Sequence, residues 1–252
     1  MFYTVVRAIA RPLCWILFWP VLKGFDKIHE GPLIVAANHI GTGETFLLPA
    51  FAKPQMTFPA KDALFRRDTL FRRMLAWVLT KAHQVPMDRS GGNASAGGMS
   101  SLMKCLKAGG VIAIFPEGHR SPDGRLYKGH TGIARLALGA DAPILPYACF
   151  RTRFTKKWLP FPWLYRPELS MGEEFRFPPE MRDRYLNAAT TEEAGAVLRE
   201  ATDEVMRRIQ ELTGQEMVDE YSLRQRREKK TIEATGHKST PEPPQTGIEA
   251  ER

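Results

Sequence analysis

Leu33-Ile34-Val35-Ala36-Ala37-Asn38-His39-Ile40-Gly41-Thr42-Gly43-Glu44-Thr45-Phe46-Leu47-Leu48 is the stretch whose reading decides the fold. Leu33 to Ala37 is an apolar run of strand length, which reads as a short buried strand that delivers Asn38-His39 at its C-terminal end. Gly41 and Gly43 permit a tight turn. Glu44 to Leu48 then opens a helix, which Pro49 and Pro54 are expected to keep short.

Working outward, the same strand-then-helix pattern recurs. Met56-Thr57-Phe58 is a second strand, Asp68 to Lys81 has helical periodicity, and Val85-Pro86-Met87 is a third strand leading to Asp88-Arg89. Ser90 to Gly98 has the composition of a flexible loop, and a helix follows it through about Lys107, ended by Gly109-Gly110. Val111 to Phe115 is the clearest buried strand. Thr131 to Leu138 reads as a helix, Ile144 to Ala148 as a strand, and Glu192 to Leu212 as a long amphipathic helix with Ala196, Val197, Ala201, Val205 and Ile209 on one side. Strands alternating with helices imply an α/β fold, a single layered domain whose mixed or largely parallel sheet is covered by helices.

Met1 to Phe25 has a different character. Phe2, Val5, Val6, Ile9, Leu13, Ile16 and Leu17 recur at helical spacing, but Pro12 to Leu22, the uninterrupted apolar stretch, is far shorter than the roughly 20 residues a membrane-spanning helix needs. Arg7, Arg11 and Lys23 flank it, and Tyr3, Trp15 and Trp19 are residue types that favour the headgroup level. An amphipathic helix lying in the membrane plane fits this pattern, with packing on the protein's own core as the competing reading. No small-residue cleavage site of a signal peptide precedes Lys23.

The chain has 252 residues, a net charge of +8 and a pI near 9.5, so an anionic partner is expected: nucleic acid, an anionic membrane or a phosphorylated substrate. Cys14, Cys105 and Cys149 are odd in number and widely spaced, which argues against a disulfide framework or a CxxC zinc site and points to a reducing, cytosolic setting. Arg151 to Arg166 interleaves Arg151, Arg153, Lys156, Lys157 and Arg166 with Phe154, Trp158, Phe161, Trp163 and Tyr165, a composition of membrane interfaces, of packed Pro-rich loops and of nucleic-acid stacking surfaces. Membrane interface is the reading adopted, and no nucleic acid is expected. From Ser222 onward apolar residues nearly vanish, so the tail is expected to be disordered, with Arg224 to Lys230 either solvated or touching anionic lipid.

Two polar runs carry the chemistry. In Asn38-His39-Ile40-Gly41-Thr42-Gly43-Glu44, a carboxylate folded back onto the imidazole would fix its tautomer and raise its basicity, as a general base requires. No HExxH or other metal-ligand set accompanies it. In Phe115-Pro116-Glu117-Gly118-His119-Arg120-Ser121 a buried strand ends in a turn exposing a carboxylate and a guanidinium. Arg120 can grip a phosphate through its bidentate fork, and Lys128 can add a point charge.

Four blocks in order, namely Asn38-His39 to Glu44, Val85 to Arg89, Phe115 to Ser121 followed by Lys128-Gly129, and Pro143 to Pro146, make the chain resemble the glycerolipid acyltransferases, best known for 1-acylglycerol-3-phosphate acyltransferases. The resemblance covers roughly Leu33 to Ala148. It implies that His39 deprotonates an acceptor hydroxyl, most simply that of 1-acylglycerol-3-phosphate, which attacks the thioester of acyl-CoA or acyl-carrier protein, with Glu44 orienting His39 and no metal or other cofactor involved. Another lysophospholipid or glycerol-3-phosphate as acceptor, or a non-catalytic lipid-binding relative, is the alternative. By the same resemblance Arg89, Glu117, Gly118 and Arg120 form the acceptor's phosphate and glycerol site, assisted by Lys128, while the basic stretch Lys61 to Arg73 attracts anionic lipid or the donor's phosphates. Backbone amides after Gly41 are expected to hold the oxyanion.

The chain departs from the family pattern in having Glu44 for the usual aspartate and His119 for the usual threonine. The expected organisation is an anchor over residues 1–25, an acyltransferase domain over 26–215 and a charged tail over 216–252. The expected setting is the cytoplasmic face of the cell membrane, as a peripheral or monotopic protein on the phospholipid surface.

Overall fold

Apolar runs buried on both faces become the middle strands of a sheet, and amphipathic runs become the helices that cover it. A computed structural model describes residues 2–87, 96–154, 164 and 166–222. In chain order the elements are α1 (Phe2–Phe18), β1 (Val21–Lys23), β2 (Leu33–Ala37), α2 (Gly43–Phe51), β3 (Met56–Thr57), β4 (Pro59–Lys61), α3 (Leu70–Lys81) and β5 (Val85–Met87). They continue with α4 (Ala96–Lys107), β6 (Val111–Ile114), β7 (Leu126–Tyr127), α5 (Gly132–Ala140), β8 (Ile144–Phe150), β9 (Glu168–Met171), α6 (Pro179–Leu186), α7 (Thr191–Thr213) and β10 (Met217–Val218).

The main sheet runs β1-β9-β8-β2-β6-β3. All its pairs are parallel except β8 with β9. β2 sits at the centre with every residue buried, which explains why its sequence is a continuous apolar run and not an alternation. Strand side chains alternate between faces. Leu33, Val35 and Ala37 accordingly pack with Leu47, Leu48 and Phe51 of α2. Ile34 and Ala36 pack with Leu102 and Leu106 of α4, Ile133 and Leu136 of α5, and Val205 and Ile209 of α7. The expected layered α/β architecture is the one observed.

Two expected boundaries sit elsewhere. Val21–Lys23, read as part of the anchor, pairs with β9 as the sheet's edge strand. Met217–Val218, read as tail, pairs with β7, and the Ser222 hydroxyl donates to the Arg120 carbonyl at 3.3 Å, so the folded region continues past residue 215 to Ser222. Such two- and three-residue strands have no internal periodicity and are decided by their pairing partners. α2 also runs through Pro49 to Phe51. The tail beyond Ser222, including Arg224 to Lys230, lies outside the described residues, as do residues 88–95 and, in the basic-aromatic stretch, Lys156, Lys157, Trp158, Phe161, Trp163 and Tyr165.

α1 packs through Ala10 and Cys14 onto the α2 side of the core. The Tyr3 hydroxyl donates to the Pro49 carbonyl at 3.0 Å and Arg7 to the Ala52 carbonyl at 2.6 Å. Its other side leaves Val5, Val6, Ile9, Leu13, Ile16 and Leu17 exposed. Among the described residues, no helix is long and apolar enough to cross a membrane.

α7 is capped at both ends, by the Thr190 hydroxyl accepting from the Glu193 amide and by Gly214 in the left-handed region. Within it, Gly195 has open space where a Cβ would stand. Gly195→Ala should therefore raise stability by about 0.5–1 kcal/mol, measured as a higher midpoint of denaturant unfolding at unchanged slope.

Candidate active site

β2 and its parallel neighbour β6 end within a residue of each other, so their chain exits lie side by side, while β8 on the other flank runs on past Tyr147, the partner of Ala37, to Phe150. Asn38 extends the pairing beyond the strand. Its side chain accepts from the Cys149 amide at 2.8 Å, and donates to the Cys149 carbonyl at 3.1 Å and to Gln215 Oε1 at 2.8 Å. His39 is thereby fixed at the strand end, 5% exposed, with its ring stacked on Phe115 at 4.1 Å between centroids.

Glu44 lies in the first turn of α2, fully buried. Its Oε1 stands 2.8 Å from His39 Nδ1, and the same oxygen accepts the Ile40 amide at 3.0 Å and the Gly41 amide at 2.8 Å. A carboxylate only accepts, so Nδ1 carries the proton and Nε2 is the basic nitrogen. Burial pushes the Glu44 carboxyl up, but the His39 hydrogen bond and charge, the Thr152 hydroxyl and a backbone hydrogen bond outweigh it and hold the group below its ordinary range. Gly41 is required here: a Cβ would stand 2.0 Å from the Thr152 carbonyl oxygen. The Gly43 amide donates to that same oxygen at 3.0 Å.

Glu117 clamps His39 from the main-chain side. Its Oε1 accepts the His39 amide at 2.7 Å and its Oε2 accepts the Tyr127 amide at 3.0 Å, tying the end of β2 to β7. Burial pushes its carboxyl up to about 7, opposed by the His39 and Tyr127 amides and assisted by the nearby charges of Glu44 and Asp123. Glu117 is 1% exposed with both oxygens occupied, so it positions the histidine and does not line an acceptor pocket. This corrects the expectation that it contacts substrate.

The remaining expected residues separate. Gly118 takes φ +69° in the turn, and its amide donates to the Phe115 carbonyl at 2.9 Å. Arg120 is exposed, its Nη1 3.2 Å from the Thr42 hydroxyl, which places a guanidinium beside the His39–Glu44 turn. Lys128 instead pairs with Asp219 at 2.6 Å. Arg89 lies outside the described residues. Of the amides after Gly41 that were expected to hold an oxyanion, that of Gly43 donates to the Thr152 carbonyl, while the preceding Ile40 and Gly41 amides donate to Glu44. His119 is half-buried in the same turn. Among the described residues, no group of three or more His, Cys, Asp or Glu is placed to hold a metal. Asn38, Thr152 and Gln215 shape the site without having been picked out as site residues, because each acts through contacts more than 100 residues away in sequence.

A buried, carboxylate-oriented histidine at the end of a parallel strand is the arrangement that general-base chemistry requires. The chain belongs to the Acyltransferase family, whose model matches residues 21–150. It is 31% identical over 147 residues to a 1-acyl-sn-glycerol-3-phosphate acyltransferase of Pseudomonas aeruginosa, covering 56% of this chain and 54% of that one. It is also 31% identical over 136 residues to the enzyme of that name from Bacillus subtilis, covering 50% and 63%. The chain thus spans about half the length of the first of these relatives. Its fold is similar to the crystal structure of the 1-acyl-sn-glycerophosphate acyltransferase of Thermotoga maritima, with a TM-score of 0.58, 22% identity, and coverage of 83% of this chain and 79% of that one.

Glu117→Gln turns an amide nitrogen toward one of two backbone donors and should cost about 1–3 kcal/mol. The raised carboxyl also sets a pH dependence. Its contribution to stability is fully present below the ordinary carboxylate range and is lost as pH rises through about 7. The difference in melting temperature between wild type and Glu117→Gln should accordingly be greatest near the ordinary carboxylate pKa and shrink as pH rises through neutrality; a difference that widens over that interval contradicts the assignment.

Proposed function

We propose that the protein transfers a fatty acyl group from acyl-CoA or acyl-carrier protein to the free hydroxyl of a lysophospholipid, most simply 1-acylglycerol-3-phosphate, in phospholipid synthesis. The observation that carries this reading is the buried His39 Nδ1 to Glu44 Oε1 contact of 2.8 Å, which presents Nε2 as a base. His39 Nε2 takes the proton of the acceptor hydroxyl as its oxygen attacks the thioester carbonyl. The tetrahedral intermediate collapses to the ester and the thiolate, and the imidazolium returns the proton to the departing sulfur. Glu44, held ionised, stabilises the imidazolium while it exists.

Arg120 supplies a guanidinium for the acceptor's phosphate, and Arg89 is its proposed partner. Lys128 is assigned no direct role, since its ammonium is neutralised by Asp219. The names of the relatives support the choice of acceptor.

The proposed setting is the cytoplasmic membrane surface, with α1 lying in the interface. Exposed Trp15 and Trp19 on and beside α1, and Leu70, Phe71, Met74 and Trp77 on α3, with Arg66, Arg67, Arg72 and Arg73 close to them in the chain, support a peripheral contact.

His39→Ala should lower acyl transfer from acyl-CoA to 1-acylglycerol-3-phosphate by at least about 10²–10⁴-fold, while vesicle binding is retained. Unchanged turnover would sink the assigned base. Glu44→Asp, one methylene shorter, withdraws the carboxylate from the Ile40 and Gly41 amides. Its loss should fall in kcat and be smaller than that of Glu44→Ala, as read from steady-state kinetics of the three proteins.

A further inference from the structure

Five non-glycine residues among those described adopt positive φ, and three of them, Trp19 (φ 47°), Arg151 (φ 54°) and Arg166 (φ 44°), gather at one edge of the main sheet. Trp19 occupies the left-handed position that closes α1, its amide 3.1 Å from the Trp15 carbonyl. Glycine is the usual residue there, yet a tryptophan stands at it with 75% of its surface exposed. Arg151 and Arg166 carry the strain that L side chains meet in this region, and are coupled by Arg151 Nε donating to the Arg166 carbonyl at 2.9 Å.

Between them lies an open groove of about 520 Å³ lined by Val21, Lys23, Arg151, Arg166 and Glu168. Its charges do not balance. Glu168 alone answers two cations, with Lys23 Nζ at 2.5 Å from Oε1 and Arg151 Nη2 at 3.0 Å from Oε2. The Arg166 side chain has no ion pair or hydrogen bond among the described residues. Two cations in excess face a cleft that starts two residues after the exposed Trp19.

The position matters as much as the charge. β1 and β9 are parallel to each other, and β9 is antiparallel to β8, so both strands begin at the rim where β8 ends. β8 is parallel to β2, whose end carries His39, so groove and candidate active site open on the same rim. α1 reaches that rim as well, since Phe18 meets Phe46 of α2 at 5.8 Å between ring centroids.

We propose that this groove binds the phosphate of an anionic lipid headgroup and so fixes how the candidate active site meets the bilayer. The proposal rests on the membrane-surface reading above. Arg166 grips the phosphate, Lys23 and Arg151 share it with Glu168, and Trp19 seats at the headgroup level beside it.

Sedimentation of the full chain with vesicles of phosphatidylcholine alone, and of phosphatidylcholine with phosphatidylglycerol, tests it. Wild type should prefer the anionic vesicles. Lys23→Ala with Arg166→Ala should weaken that preference by about fivefold per charge removed and leave binding to neutral vesicles unchanged. Glu168→Gln, which releases two cations, should strengthen it. A double variant that keeps the full preference overturns the proposal, and so does one that loses only its KM for acyl-CoA, which would assign the groove to the donor's phosphates. Failure of wild type to bind either vesicle removes the membrane-surface reading itself, a result distinct from loss of the groove.

Discussion

One oxygen atom, Glu44 Oε1, collects three N–H donors: the His39 ring and the Ile40 and Gly41 amides. A buried carboxylate is costly unless its charge is answered, and here the answer comes from the turn it stabilises. The turn keeps its shape because the carboxylate fills it, and the imidazole keeps its tautomer because the turn holds the carboxylate still. Removing the charge would leave two amides and a ring nitrogen without an acceptor inside the core. Glu44 is therefore a folding constraint and a chemical one at the same atom.

The sheet supplies the second half of this arrangement. Parallel strands end together, so residues more than 70 positions apart, such as His39 and Glu117, meet at one rim without a long loop. Glu117 holds the His39 amide while Glu44 holds its ring, so the histidine is fixed at both ends by carboxylates of opposite behaviour. Glu44 is kept ionised by its donors, whereas Glu117, bonded to two amides but near other negative charges and buried, titrates near neutrality. One consequence is that acidification and alkalinisation act on the site through different residues.

The middle of the fold was legible because its signals are local. β2 and β6 are apolar runs bounded by turns, and α7 repeats its apolar residues at helical spacing, so each declares itself without its neighbours. The dyad was legible because its two members lie five positions apart. The short strands β1, β9 and β10 were not, since each is defined by its partner, nor was the engagement of Lys128 by Asp219, which lies 91 residues away. Glu117 illustrates the intermediate case. Its importance could be read from the Pro-Glu-Gly turn, but its role could not, because a carboxylate at a strand end points outward to substrate or inward to backbone depending on the neighbouring strand.

The glutamate at position 44 is the sharpest test of how local and distant structure combine. A carboxylate one methylene longer than the family's aspartate must sit farther back to present its oxygen at the same ring nitrogen. α2 starts at Gly43, so Glu44 lies in its first turn, where the side chain can fold back over the preceding amides. The Gly41–Gly43 turn is also packed against the Thr152 backbone, with no room for a Cβ at Gly41. That contact sets the turn against β8's exit and limits how far the carboxylate can retreat. The extra methylene is thus absorbed between a helix start and a neighbouring strand end, and Nδ1 still finds its acceptor at 2.8 Å. The dyad's geometry is a property of the turn and the strand beside it, and not of the acidic residue alone.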